Sequence, residues 1–191
     1  MKKIIIIGAG AMGSAFAVPC LENKNEVTLV GTHLEDELIN NIQLNNNFHP
    51  ALNIKLPSNL KVEKYDKLKS ILEGGIDIIV AGVSSVGIEW FVKQITKSYK
   101  KNTPIILLTK GLAIEDNELI TLSDKIKKLL KDQGHTDVNI SAIKGPCLAA
   151  GLAYKMRTGT VIANPDIKET EKLKKIISTD YYSTEVSDDL T

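Results

Sequence analysis

The sequence predicts a doubly wound α/β fold: a mostly parallel sheet with helices on both faces. Three observations lead there. The chain opens with Ile4-Ile5-Ile6-Ile7, a β-branched run too short to span a membrane and suited to a strand buried on both faces. Gly8-Ala9-Gly10-Ala11-Met12-Gly13 follows at once and leads into Ser14-Ala15-Phe16-Ala17, small residues that suit a helix. Apolar runs then alternate with amphipathic stretches of helical period down the chain.

Strand, glycine turn and helix in that order form the fingerprint of a Rossmann-like dinucleotide site. Gly8 permits the tight turn out of the strand. Gly10 leaves no side chain between the backbone and a pyrophosphate, and Gly13 lets the helix lie close on the sheet. Amide groups at the helix start, with its positive dipole end, would hold the phosphates. Gly8, Gly10, Ala11, Met12 and Gly13 are therefore candidate contacts for NAD or NADP.

The first helix is expected from Ala11 to Glu22, with Pro19 late in it. Glu26 to Val30 is the second strand. At its end an acid would favour NAD and an arginine NADP. Thr32 and His33 stand there instead, with Glu35 and Asp36 slightly late. Either Thr32 or His33 could donate to a phosphate or a hydroxyl, and His33 reads equally well as a loop residue without a ligand. The cofactor choice stays open.

A helix is expected over 34–45, with Leu34, Leu38 and Ile42 on one stripe, and an irregular loop over 51–59. A short strand (60–62), a helix (66–72) and a central strand (76–81) come next. Ser84 follows that strand, where the nicotinamide half of a cofactor would pass. A helix over 86–98 turns Ile88, Phe91, Val92 and Ile95 inward, and Trp90 reads as a packing or rim residue. Strand 105–109 ends in Lys110-Gly111. That lysine is either a ligand contact or a snorkelling surface residue. An amphipathic helix over 118–132, a strand over 138–143, the turn Gly145-Pro146, a strand over 160–163, a helix over 167–177 and a strand over 181–186 complete the chain.

The 191 residues suit one α/β domain, or one domain with a fragment of another. A net charge of +1 leaves no electrostatic footprint for nucleic acid or an anionic membrane. Cys20 and Cys147 read as free thiols in a reducing, cytoplasmic setting. The N-terminal apolar run stops after four residues, unlike a signal peptide. No metal, nucleic-acid or membrane partner is expected.

Three motifs now stand at strand ends: the glycine turn, Leu108-Thr109-Lys110-Gly111-Leu112, and Gly145-Pro146-Cys147-Leu148-Ala149-Ala150-Gly151. With Asn47-Phe48-His49-Pro50 and Leu56-Pro57 between the second and third strands, the chain resembles the NAD(P)-dependent glycerol-3-phosphate dehydrogenases along its whole length. It departs from them at Gly151 (glutamate in the family), Cys147 (serine), Thr32 (arginine) and Val30 (tryptophan).

The resemblance implies hydride transfer between NAD(P)H and dihydroxyacetone phosphate, or the reverse from sn-glycerol 3-phosphate. Lys110 would be the catalytic residue, orienting the substrate, polarising its carbonyl and lying against the cofactor. Gly145 and Cys147 would approach the substrate, and Ala149 the cofactor. Residues 1–191 would form the N-terminal cofactor-binding half. The chain would stop where a helical domain carrying the general base and a phosphate-gripping arginine begins in the family. A homodimer, where one forms, would be joined through that domain. The alternatives are another two-domain reductase, of the ketopantoate reductase or 6-phosphogluconate dehydrogenase type, and a non-catalytic NAD(P)-binding module.

Overall fold

Four consecutive isoleucines set the layering. In β1 (Lys3–Ile7) successive side chains point to opposite faces. Ile4 and Ile6 enter one apolar core, Ile5 and Ile7 the other, and all four are almost fully buried. A strand flanked by two cores needs apolar residues at every position, and these supply it.

The computed structural model describes residues 1–115 and 117–190. After β1 come α1 (Ala11–Glu22), β2 (Glu26–Val30), α2 (Asp36–Leu44), β3 (Phe48–His49), β4 (Ile54–Lys55) and β5 (Lys61–Glu63). A second run follows: α3 (Leu68–Glu73), β6 (Ile78–Ala81), α4 (Ile88–Ile95) and β7 (Ile105–Leu107). Then come β8 (Leu112–Glu115), β9 (Glu118–Thr121), α5 (Leu122–Asp132), β10 (Ile140–Lys144), α6 (Ala149–Ala153), β11 (Thr158–Ala163), α7 (Ile167–Ile177) and β12 (Tyr182–Ser187). The main sheet has eight strands in the order β12-β11-β10-β7-β6-β1-β2-β5. From β10 to β5 all neighbours are parallel; β11 is antiparallel to β10 and parallel to β12. The order reverses between β1 and β6. In an open α/β sheet that switch point, at the carboxyl ends of the strands, is where ligands bind. Among the described residues no helix is long and apolar enough to cross a membrane.

The expected α1 and α7 occur with the expected bounds, and Pro19 lies inside α1. Strand β8 and helix α6 have no counterpart among the expected elements, and three further segments differ from expectation. Helix α2 starts at Asp36, and Leu34 is 81% exposed rather than part of the inward stripe, which is led by Ile39 and Ile42. The segment expected as irregular contains the small antiparallel pair β3–β4. Residues 118–121 are strand β9, paired with β8, and not the first turn of α5. Helix α5 begins after Thr121, whose hydroxyl oxygen accepts from the Asp124 amide at 3.1 Å and so caps it.

The start of the sheet is fastened by Asp77, whose carboxylate accepts from the Lys3 amide at 2.8 Å and pairs with Lys2 at 3.2 Å. The Lys3 amide, opposed by partial burial and helped by the Lys2 ammonium, holds the Asp77 carboxyl below its ordinary value. A depressed carboxylate pKa stabilises the fold above the unfolded value, and that contribution disappears as pH falls through the folded one. The side chain is 39% exposed, so solvent screening reduces the effect. We expect Asp77→Asn to cost about 0.5–1 kcal/mol at neutral pH. Denaturant unfolding at a series of pH values should show the gap closing once the pH drops below the ordinary 3.8 of this carboxyl. A gap that persisted in acid would remove the charge from the explanation.

Helix α1 sits so close to β1 that a Cβ on Gly13 would lie 2.1 Å from the Gly8 carbonyl oxygen. Backbone cannot yield as a flexible side chain does. Gly13→Ala should therefore destabilise the chain by more than about 3 kcal/mol, at the severe end of single substitutions. Its thermal midpoint, compared with that of the parent chain, tests this.

Candidate functional site

The crevice at the switch point is built from the glycine turn. Gly8 has φ 109°, in the region that favours glycine, and a Cβ there would lie 2.7 Å from the Gly82 backbone just beyond β6. Its amide donates to the Val30 carbonyl at 2.9 Å, tying the turn to the end of β2. Gly10 differs. The nearest group to a Cβ added there is the Glu35 Oε1 at 3.8 Å, so the space over Gly10 is open. Helix α1 begins beside that space with no side-chain cap and no acidic residue in its first turn. Its first amides are therefore left for an outside acceptor.

The peptide between Ala9 and Gly10 is held in one orientation. The Ala9 carbonyl accepts from the buried Ser14 hydroxyl at 2.9 Å and from Nε2 of His49 at 3.0 Å. His49 is fully buried, and its Nδ1 accepts from the Leu52 amide at 3.2 Å, which assigns the ring proton to Nε2. All peptides described are trans. The Gly10 amide therefore points away from Ser14 and His49. The Ala9 amide donates to Oε2 of Glu35 at 3.0 Å, and the same oxygen accepts from the Thr32 amide at 2.7 Å.

Sequence reasoning missed the roles of Glu35 and His49. A signal for Glu35 existed: Thr32-x-x-Glu35 is the spacing at which a glutamate reaches back to the amide of a threonine three residues before it. For His49 there was none, because its partner lies 40 positions away.

Thr32 is half-buried at the end of β2, and His33 is exposed. The His33 ring lies 5.1 Å from the Trp90 ring and 6.2 Å from Tyr65, and Tyr65 lies 5.6 Å from Trp90. These three rings line the rim beyond β2, so Trp90 is a rim residue with ring partners. Ser84 is exposed in the turn after β6. The Thr109 hydroxyl donates to the Val83 carbonyl and joins the ends of β7 and β6.

Lys110 and Gly145, read as separate motifs, are brought together: the exposed Lys110 ammonium donates to the Gly145 carbonyl. A cavity of about 340 Å³ lies beside them, bordered also by Thr121, Ala142 and Leu190. Ala149 opens α6 and, like Ala11 and Met12, packs at the edge of the core that receives Ile4 and Ile6. The Cys147 side chain is 4% exposed and lies in that same core, because the turn after β10 directs it inward and leaves Leu148 outside. Burial pushes the other thiol, Cys20, well up from its ordinary value and leaves it unreactive. A cavity of about 1150 Å³ opens at the other end of the parallel strands, among Asn25, Asp77, Asn139 and Asp166. Neither the glycine turn of Gly8 to Gly13 nor the start of α1 borders it, so the candidate site is the crevice at the switch point.

Known proteins share this fold. A crystal structure of a glycerol-3-phosphate dehydrogenase from Coxiella burnetii superimposes with a TM-score of 0.84 at 22% identity, over 99% of this chain and 55% of that one. The chain is 34% identical over 187 residues to the NADP(+)-dependent glycerol-3-phosphate dehydrogenase of Archaeoglobus fulgidus, covering 98% of this chain and 54% of the relative. It is 30% identical over 184 residues to the glycerol-3-phosphate dehydrogenase [NAD(P)+] of Mesoplasma florum, covering 95% of this chain and 52% of that protein. The chain thus spans about half the length of these curated relatives. The family described as NAD-dependent glycerol-3-phosphate dehydrogenase N-terminus matches residues 3–170, and the chain belongs to it.

Proposed function

We propose that the chain binds NAD(H) or NADP(H) across the switch point and serves the interconversion of dihydroxyacetone phosphate and sn-glycerol 3-phosphate. One observation carries the cofactor half of this reading: the open space over Gly10, beside the uncapped start of α1. A pyrophosphate there would accept from the Gly10 amide and the first amides of α1, aided by the helix dipole. Gly8 and Gly82 keep the crevice floor free of side chains, and Ser84 and Ala149 would lie toward the nicotinamide end. When bound, the nicotinamide supplies or accepts the hydride.

The substrate half rests on the named activities of the relatives and on the pairing of Lys110 with Gly145. The Gly145 carbonyl holds the Lys110 ammonium at the carboxyl end of the sheet, next to the cavity. There the ammonium would face the substrate's reacting oxygen and stabilise negative charge on it. Gly145 would contribute through its backbone. The buried Cys147 thiol gives no support to a side-chain contact with substrate.

Gly10→Val should leave the fold intact, since an added Cβ meets no protein atom closer than 3.8 Å. It should also abolish cofactor binding by filling the place of the pyrophosphate. Calorimetric titration with NADH and NADPH, alongside thermal unfolding, tests both halves; unchanged affinity would remove the site from Gly10. In a form of the protein that reduces dihydroxyacetone phosphate, Lys110→Ala should lower kcat/KM by at least about 10²-fold. NADH affinity should change little. Near parental turnover would return Lys110 to the role of a surface lysine.

A further inference from the structure

The end of β2 leaves the choice between NAD and NADP open on its own residues, Thr32 and His33. The fold settles more than those two residues do. Glu35 turns back from the entrance of α2, and its Oε2 bridges the amides of Ala9 and Thr32 at 3.0 and 2.7 Å. Its Oε1 has no hydrogen-bond partner among the described residues and stands at the edge of the site, 3.8 Å from where a Cβ on Gly10 would lie. The two bridged amides belong to the first turn of the dinucleotide fingerprint and to the end of the second strand. Between those points such folds receive the adenosine ribose or its 2′-phosphate. Two converging amides without a side chain would suit a phosphate. Here a carboxylate already sits on them.

We propose that Glu35 is the residue that discriminates between the cofactors, accepting a ribose hydroxyl of NAD(H) at Oε1 and excluding the 2′-phosphate of NADP(H). This rests on the cofactor site proposed above. A 2′-phosphate would lose both amides to Oε2 and would lie against like charge. Asp36 and Glu37, in the first turn of α2, add to that charge. The sequence holds no lysine or arginine between Glu26 and Lys55 to offset it. A 2′-hydroxyl has a proton to donate and meets a free acceptor. The inference separates this chain from its A. fulgidus relative, which is named as NADP(+)-dependent.

Two unit charges about 4 Å apart cost roughly fivefold in affinity in bulk water and roughly 10³-fold in the weaker screening near a protein surface. Glu35 is half-buried, between those limits. The 191-residue chain should therefore bind NADH at least about tenfold more tightly than NADPH, and raising the salt concentration should narrow the gap. Isothermal titration of the parent chain, Glu35→Gln and Glu35→Ala with both nucleotides is the test, with thermal unfolding on each sample. Glu35→Gln keeps the side-chain volume and removes the charge; Glu35→Ala also frees both amides. In each, the ratio of the NADPH to the NADH dissociation constant should fall at least about tenfold, the size expected for removing one charged hydrogen bond and its repulsion. Parent chain that binds NADPH as tightly as NADH, or a ratio that neither folded variant moves, would overturn the role of Glu35 and leave the cofactor site standing. Binding of neither nucleotide by folded parent chain would overturn both readings.

Discussion

Three backbones meet at the top of the sheet with no side chain between them. A Cβ on Gly8 would strike the Gly82 backbone, one on Gly13 would strike the Gly8 carbonyl, and one on Gly82 would lie 3.0 Å from that same carbonyl oxygen. This contact sets the distance between α1, β1 and β6. It places the first turn of α1 directly over the gap where the strand order reverses. The two apolar cores, divided by the alternating isoleucines of β1, press the layers together. The three glycines decide how close the layers come at the end where a ligand would enter.

Much of this was legible in the sequence because it is local. Ile4 to Gly13 states a strand, a turn and a helix start within ten residues, and α1 and α7 lie where periodicity and punctuation put them. What could not be read was decided by partners distant in the chain or by competing local patterns. Residues Glu118 to Thr121 fit the helical stripe of α5, yet pairing with β8 captures them as strand, and the hydroxyl of Thr121 fixes where the helix begins. Cys147 follows a Gly-Pro turn in a motif that suggests a ligand, but the turn buries the thiol. Lys110 and Gly145 were visible as motifs, and their contact across 35 positions was not.

The candidate site is organised around one residue, Ala9, held at both its carbonyl and its amide. Ser14 and His49 hold the Ala9 carbonyl, while Glu35 holds the Ala9 amide. With the peptides on both sides of Ala9 held, the second through two donors on its carbonyl, the Gly10 amide is aimed before any ligand arrives. Such preorganisation lowers the ordering cost of binding. The histidine has both ring nitrogens engaged, so its part is to position the loop.

The engagement of His49 also bears on how this segment can change over generations. Asn45-Asn46-Asn47, with two residues in the left-handed region, has the look of a connector that accepts almost any replacement. Two positions later the chain reaches the glycine turn through a buried ring. Insertions or swaps that shift β3 would release the Ala9 carbonyl and leave the Ser14 hydroxyl as its remaining side-chain donor among the described residues. The effect of a change at Ser14 would then depend on whether His49 is in place. The two positions form an epistatic pair, 35 residues apart in the chain and joined through one oxygen atom.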